Sequence, residues 1–195
     1  MYRAKRGVKG MVIQAAKIIF ANYGFRKTTM DEIAKATHMS KGSLYYYFRS
    51  KEEIFEAIVE QEFKTFLADI VQAISAVHSP QEKLRAFFHS RFLGMQKATN
   101  FYKAVIEEYF DYFSYIEGLR KALDIQEMKI INDILNEGVK TGIFLVNSVE
   151  ATTMALRAGL RGIEYDFLIV KKNFKQLVKI QDLILNTFLN GILKR

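Results

Sequence analysis

Hydroxyl and amino groups are concentrated in residues 40–51, where three serines, three consecutive tyrosines and two lysines occur within twelve positions. Lysine amines suit phosphate groups, and serine and tyrosine hydroxyls can bond either to phosphates or to the edges of bases. This combination favours recognition of a nucleic acid over catalysis.

Residue types that would support catalysis or metal binding are sparse. The three histidines, His38, His78 and His89, are far apart in the sequence and lack the spacing of metal ligands, and there is no cysteine. No glycine-rich phosphate loop follows a predicted strand. We therefore expect no enzyme activity, no catalytic residue, no metal and no cofactor. The lack of cysteine also fits a cytoplasmic protein.

Helix N-cap signals surround the hydroxyl-rich segment. Thr29 to Glu32 has the sequence of a capping box, and Ser40 can cap the next helix. Leu44 and Phe48 in that helix are four residues apart and should both face the core. The outward rows are then Gly42 with Tyr46 and Ser43 with Tyr47, flanked by Lys41 with Tyr45. Two short helices joined by a tight turn are typical of a helix-turn-helix, whose second helix enters the major groove of DNA.

Positive charge is concentrated in the first quarter of the chain. Residues 1–51 hold 11 Lys/Arg and 2 Asp/Glu, a net charge of +9, whereas residues 52–195 hold 18 and 19, a net charge of −1. A local basic excess beside a helix-turn-helix pattern indicates contact with the DNA backbone, for which Lys41 and Lys51 are suitable residues.

Helical periodicity continues along the rest of the chain, which contains one proline, so the predicted fold class is all-α. No apolar run reaches the roughly 18 residues that a membrane span needs, and we expect no membrane partner. We predict a three-helix helix-turn-helix domain at 1–50 and a helical ligand-binding and dimerisation domain at 51–195. The later helices are expected from Lys51 toward Val77, from Pro80, near 100–117, 119–138, 149–170 and 173–193, with a loop bracketed by Gly138 and Gly142.

A group of residues in the first quarter forms a multi-point pattern. It consists of Ala15-Ala16, Phe20, Gly24-Phe25, Thr28-Thr29, Ile33-Ala34, Ser40-Lys41-Gly42, Leu44-Tyr45, Phe48 and Lys51-Glu52. On these positions, residues 8–55 resemble the N-terminal domain of tetracycline-repressor (TetR) family transcription regulators. The resemblance implies phosphate contacts by Thr29, Tyr45 and Lys51, and groove contacts by the residues from Lys41 to Tyr47.

The chain departs from the usual family pattern in two places. The family usually has Ala-Gly-Val in the turn, where this chain has Thr37-His38-Met39. His38 should then adopt a left-handed backbone conformation that glycine takes at no cost. Tyr47 stands where histidine is common, so the base preference of the family does not transfer.

Residues 101–115 contain seven Phe or Tyr side chains. On a helical wheel the apolar positions would cover roughly 220°, against about 100° for an ordinary surface helix. The segment is either a central core helix or a helix that lines a ligand cavity on one side. The candidate ligand-binding residues are Phe101, Glu108, Tyr109, Tyr112 and Phe113. Glu108 could bind a lipophilic cation, or it could pair with an arginine such as Arg91 or Arg120.

The last two predicted helices are broadly apolar, and the first carries the small residues Ala155, Ala158, Gly159 and Gly162. Small residues permit close approach of helices. The two helices either close the core of the monomer or complete a bundle with a second subunit, and the family resemblance implies the second arrangement. We expect a homodimer.

Three functions fit these features. The first is a dimeric transcriptional regulator, a repressor, that binds a pseudo-palindromic double-stranded DNA operator and responds to a small hydrophobic or amphipathic effector. The second is a nucleoid-type protein that binds DNA without sequence preference. The third is a small-molecule-binding module whose helix-turn-helix no longer reads DNA.

Overall fold

The structure, a computed structural model, describes residues 2–98, 100, 113–168 and 174–193. Within these ranges the chain forms eight α-helices, with an isolated bridge between Phe144 and Leu193 and no β-sheet. The helices are α1 (Tyr2–Tyr23), α2 (Met30–Ala36), α3 (Lys41–Tyr47), α4 (Lys51–Ser75), α5 (Pro80–Lys97), α6 (Phe113–Lys140), α7 (Val149–Leu168) and α8 (Phe174–Ile192). The all-α fold class is confirmed.

The expected interruption between helices near 117–119 is wrong. Helix α6 runs without a break through Gly118, which is exposed. A glycine inside a helix costs only about 1 kcal/mol relative to alanine. The burial of Leu123, Ile131 and Leu135 further along α6 can offset that cost. The predicted helix near 100–117 lies mostly outside the described residues.

The chain divides into two compact units. The first comprises residues up to Lys64 together with Ala98 and Asn100, and the second comprises Thr65–Lys97 and the described residues from Phe113 onward. Helix α4 therefore contributes to both units. The predicted boundary between domains 1–50 and 51–195 remains a proposal about which residues make up the DNA-binding domain.

The first unit packs α1, α2, α3 and the start of α4 around aromatic side chains. Phe20, Phe25 and Phe55 meet with ring centroids 4.8 to 5.6 Å apart. Leu44 and Phe48 are fully or almost fully buried. Their burial fixes the rotation of α3 and therefore determines which of its side chains face solvent.

The second unit contains a buried core and a buried ion pair. Helix α5 contributes Leu84 and Phe87, α6 contributes Ile131 and Leu135, and α8 contributes Leu189. Between α5 and α6, Nε of Arg91 donates to Oε1 of Glu127 at 2.6 Å, and both side chains are almost fully buried. Removing one partner of such a pair would leave an uncompensated buried charge, so the pair favours one alignment of the two helices.

Candidate nucleic-acid interface

The helix-turn-helix is built from helix caps. The hydroxyl of Thr29 accepts from the backbone N–H of Glu32, and the carboxylate of Glu32 accepts from the backbone N–H of Thr29 at 2.7 Å. The predicted capping box is confirmed. The N–H and hydroxyl of Thr29 hold the pKa of Glu32 below its usual value. At the start of α3, the hydroxyl of Ser40 accepts from the backbone N–H of Ser43.

The turn closes through a residue in the left-handed region. His38 has φ 54°, as predicted. Its N–H donates to the carbonyl of Lys35, and the N–H of Met39 donates to the carbonyl of Ala34. These two bonds form a Schellman motif with His38 at the position where glycine is favoured. The same motif ends α6, where Gly142 (φ 72°) occupies the equivalent position.

The surface of α3 is arranged as its spacing predicts. Lys41, Gly42, Ser43, Tyr45 and Tyr46 are exposed, and Tyr47 is half-buried. The rings of Tyr46 and Tyr47 meet edge to face, with centroids 5.2 Å apart. A Cβ added to Gly42 would meet no atom within 4 Å, so the backbone is open to close approach there. Contact of these residues with DNA stays a prediction.

Lys41 and Lys51, the two lysines predicted to contact phosphates, both have internal partners. The amine of Lys41 lies 2.9 Å from one carboxylate oxygen of Asp31 and 3.3 Å from the other. The amine of Lys51 donates to the carbonyls of Phe25, Arg26 and Thr28 at 3.0, 3.4 and 3.1 Å. It also lies 4.5 Å from the centroid of the Phe25 ring. Lys51 therefore holds the loop that joins α1 to α2, a role that the sequence did not reveal.

Comparison with known proteins identifies the family of this fold. The profile of the family described as "Bacterial regulatory proteins, tetR family" matches residues 12–58. The HTH-type transcriptional repressor KstR2 of Mycobacterium tuberculosis is 30% identical over 145 residues, which cover 70% of this chain and 68% of that protein. The HTH-type transcriptional regulator QacR of Staphylococcus aureus is 26% identical over 194 residues, which cover 96% and 99%. The chain belongs to the TetR family.

Solved structures extend this likeness over the whole TetR-family fold. A transcriptional regulator from Cytophaga hutchinsonii superposes with a TM-score of 0.79 at 24% identity, covering 95% of this chain and 98% of that one. The structure described as the ketosteroid transcriptional regulator KstR2 superposes with a TM-score of 0.63 at 25% identity, covering 96% and 95%. The protein is a DNA-binding transcriptional regulator, and its helix-turn-helix lies within the part that the family profile matches.

Four exposed cations in this TetR-family domain were missed as individual candidates by the sequence reasoning. They are Arg26, Lys27, Lys35 and Arg49. Among the described residues, none of their side chains lies within 4 Å of a carboxylate. Only the overall charge excess of the first 51 residues indicated them. They are additional candidates for phosphate contacts, because their charge is not neutralised internally.

The predicted effector-binding residues of this TetR-family protein fall in a segment outside the described side chains. Phe101, Glu108, Tyr109 and Tyr112 lie outside the described residues, as does the side chain of Phe113. In the described part of the chain, no three His, Asp or Glu side chains are placed to hold a metal ion. None of the helices described there combines the length and the hydropathy needed to cross a membrane.

Proposed function

We propose that this protein is a dimeric repressor, not an enzyme, that binds a pseudo-palindromic operator in the cytoplasm and is released by a small hydrophobic or amphipathic effector. The observation that carries the DNA-binding part is the outward surface of α3. Buried Leu44 and Phe48 direct Gly42, Ser43 and Tyr46 to solvent on a helix fixed by caps at its start and by packing beneath. Hydroxyls and open backbone on such a helix suit contacts in the major groove, with Tyr45 and Tyr47 beside them.

The phosphate contacts are assigned to groups that flank α3. Thr29 stands at the amino end of α2, and Lys41 starts α3. Arg26 and Lys27 precede α2, and Arg49 follows α3. A contact by Lys51 requires exchange of its three carbonyl partners, so its contribution is expected to be mainly the positioning of the α1–α2 loop.

The homodimer is proposed to form through α7 and α8. Met154 is 58% exposed on α7 and Leu183 is 67% exposed on α8. Gly159 is exposed, and an added Cβ would meet no atom of its own chain within 4 Å. An exposed apolar surface with small residues is what a helical interface between identical subunits requires.

Substitution at Gly159 tests this interface. Gly159→Arg should yield a monomer in light scattering and weaken operator binding, because one helix-turn-helix contacts only one half-site. The matched control is Gly118→Arg, another exposed helix glycine with no atom near its Cβ position. An unchanged dimer for the Gly159 variant would place the interface elsewhere.

The effector is proposed to bind beside residues 101–115. The width of the apolar arc in this segment supports an apolar ligand, and KstR2 is described as a ketosteroid transcriptional regulator. The candidate contacts are Phe101, Glu108, Tyr109, Tyr112 and Phe113. An effector that binds the DNA-free conformation more tightly must lower operator affinity by the same factor by which DNA lowers effector affinity.

Footprinting on DNA from a selected binding pool tests the operator. A protected pseudo-palindrome with half-site centres about one helical turn apart, roughly 34–36 Å, is expected. Steeply salt-dependent binding without a protected palindrome would instead identify a nucleoid-type protein. Failure to bind any duplex would favour a small-molecule-binding module with a degenerate helix-turn-helix.

A further inference from the structure

The cation at the start of the recognition helix is held by a carboxylate of the preceding helix. Lys41 is the only basic residue of α3. Both carboxylate oxygens of Asp31, in the first turn of α2, lie within 3.3 Å of its amine. The hydrogen bond to Asp31 and the negative charge of that carboxylate raise the pKa of Lys41. The amine is therefore protonated and has an anionic partner before any DNA arrives.

The pair is positioned to exchange with solvent and with DNA. The Lys41 and Asp31 side chains are 61% and 55% exposed. Exposed ion pairs of this kind are weak and are screened by salt. By contrast, the carbonyls that hold Lys51 belong to the folded loop, and two of the three bonds to them are partly buried. Of the two lysines, Lys41 is the one whose partner a phosphate can replace.

We propose that Asp31 is a specificity-determining residue that keeps Lys41 from DNA phosphates in sequence-independent complexes and releases it only when α3 is seated in the groove. The inference rests on the proposed DNA-binding function. Sequence-independent binding depends almost entirely on cation–phosphate contacts, so withholding one cation weakens it directly. When contacts of Ser43 and Tyr46 with bases hold α3 in place, a phosphate can compete with Asp31 at short range.

The test measures affinity for a random-sequence duplex by fluorescence anisotropy over a range of salt concentrations. Asp31→Asn should raise that affinity by up to about fivefold per helix-turn-helix domain (per head) at 0.1 M salt and steepen the log–log salt slope by up to about 0.9 per head. The control is Asp133→Asn, which removes a carboxylate from the Lys129–Asp133 pair of the second unit, whose side chains are somewhat more exposed. Both substitutions change the net charge by the same amount, and circular dichroism checks that both variants fold.

Lys41→Ala completes a double-mutant cycle. With Asp31 intact, Lys41→Ala should lower random-DNA affinity by a smaller factor than in the Asp31→Asn background, where it should abolish the gain. On a selected operator, Lys41→Ala alone should weaken binding about five- to tenfold per head. This pattern would show that Asp31 withholds Lys41.

Equal effects of Asp31→Asn and Asp133→Asn would overturn the inference and leave the proposed function standing, because net charge alone would then explain the gain. The inference is also overturned if Lys41→Ala lowers random-DNA affinity by the same factor in the unmodified protein and in the Asp31→Asn background. If the unmodified protein binds no DNA, the proposed function fails, and this inference fails with it.

Discussion

Replacement of Lys51 by methionine separates a structural role from a phosphate contact. Methionine retains an apolar stem that can cover the Phe25 ring but lacks the charge and the three donors. The variant loses hydrogen bonds to the carbonyls of Phe25, Arg26 and Thr28. It also loses the interaction between the amine and the Phe25 ring, whose centroid is 4.5 Å away.

The expected loss of stability follows from the geometry of these bonds. A hydrogen bond to a charged group contributes about 1.5–3 kcal/mol when it is well formed and shielded from water. The bond to Arg26 is long at 3.4 Å and exposed, and the other two are only partly buried. We therefore assign about 1 kcal/mol to each shorter bond and little to the third, which gives about 2–3 kcal/mol with the ring contact.

Native-state hydrogen exchange of the α2 amides measures this loss of stability in the first unit alone. A global unfolding curve would instead combine the unfolding of both units. The Lys51→Met variant should exchange faster by the factor that about 2–3 kcal/mol implies, roughly 30- to 160-fold. Its DNA affinity should fall with little change in salt slope. The control is Arg49→Met, which should flatten the slope by about 0.9 per head and leave exchange unchanged.

The opposite result for Lys51→Met would refute this reasoning. Unchanged exchange together with a slope flattened by about 0.9 per head would show that Lys51 contacts a phosphate, as the family resemblance implies. Its carbonyl contacts would then contribute nothing measurable to stability.

Four further substitutions test backbone positions. His38→Gly should stabilise the first unit by about 0.5–1 kcal/mol, because relief of the left-handed cost for an L-residue, about 1–2 kcal/mol, exceeds the added entropy of an unfolded glycine. Gly142→Ala should destabilise the second unit by about 1 kcal/mol, because alanine pays the left-handed cost that glycine avoids. Slower native-state hydrogen exchange in the Gly142→Ala variant would contradict a left-handed requirement at this position. Gly138→Ala should destabilise the second unit by about 1–3 kcal/mol, since its Cβ would overlap the buried Phe144 ring. Gly118→Ala, with no atom near its Cβ position, should raise the melting temperature slightly. Equal melting temperatures for Gly138→Ala and Gly118→Ala would show that Phe144 moves aside freely.

Features governed by neighbouring residues were predictable from the sequence. Residues at most four positions apart determine the Thr29–Glu32 capping box, the Ser40 cap and the inward rotation of Leu44 and Phe48. The left-handed conformation of His38 was implied by the family resemblance instead. A further local cap stands at the start of α4, where the hydroxyl of Ser50 accepts from the N–H of Glu53. The Glu53 carboxylate, however, accepts from the N–H of Arg49. Local signals therefore located the recognition helix and its outward face.

Contacts between distant residues were not predictable in this way. Asp31 and Lys41 are ten positions apart, and Lys51 contacts carbonyls 23 to 26 positions away. No periodicity or cap pattern encodes such pairs, because they depend on how α1, α2 and α3 pack together. The continuity of α6 through Gly118 was missed for a related reason, since tertiary packing overrides the weak helix propensity of one glycine.

These distant contacts change how the charge of the first unit should be understood. A count of lysines and arginines treats every cation as available to DNA, yet Lys51 is engaged with carbonyls and Lys41 with a carboxylate. Of the four exposed cations with no carboxylate within reach among the described residues, Lys35 lies in α2. The other three, Arg26, Lys27 and Arg49, lie in the segments before and after the two short helices. Phosphate binding by those segments would position α3 over the groove, while its own exposed surface is mostly hydroxyls and open backbone. The charges that attract DNA would then lie mainly in the flanking segments, and the groups that can distinguish its bases would lie on α3.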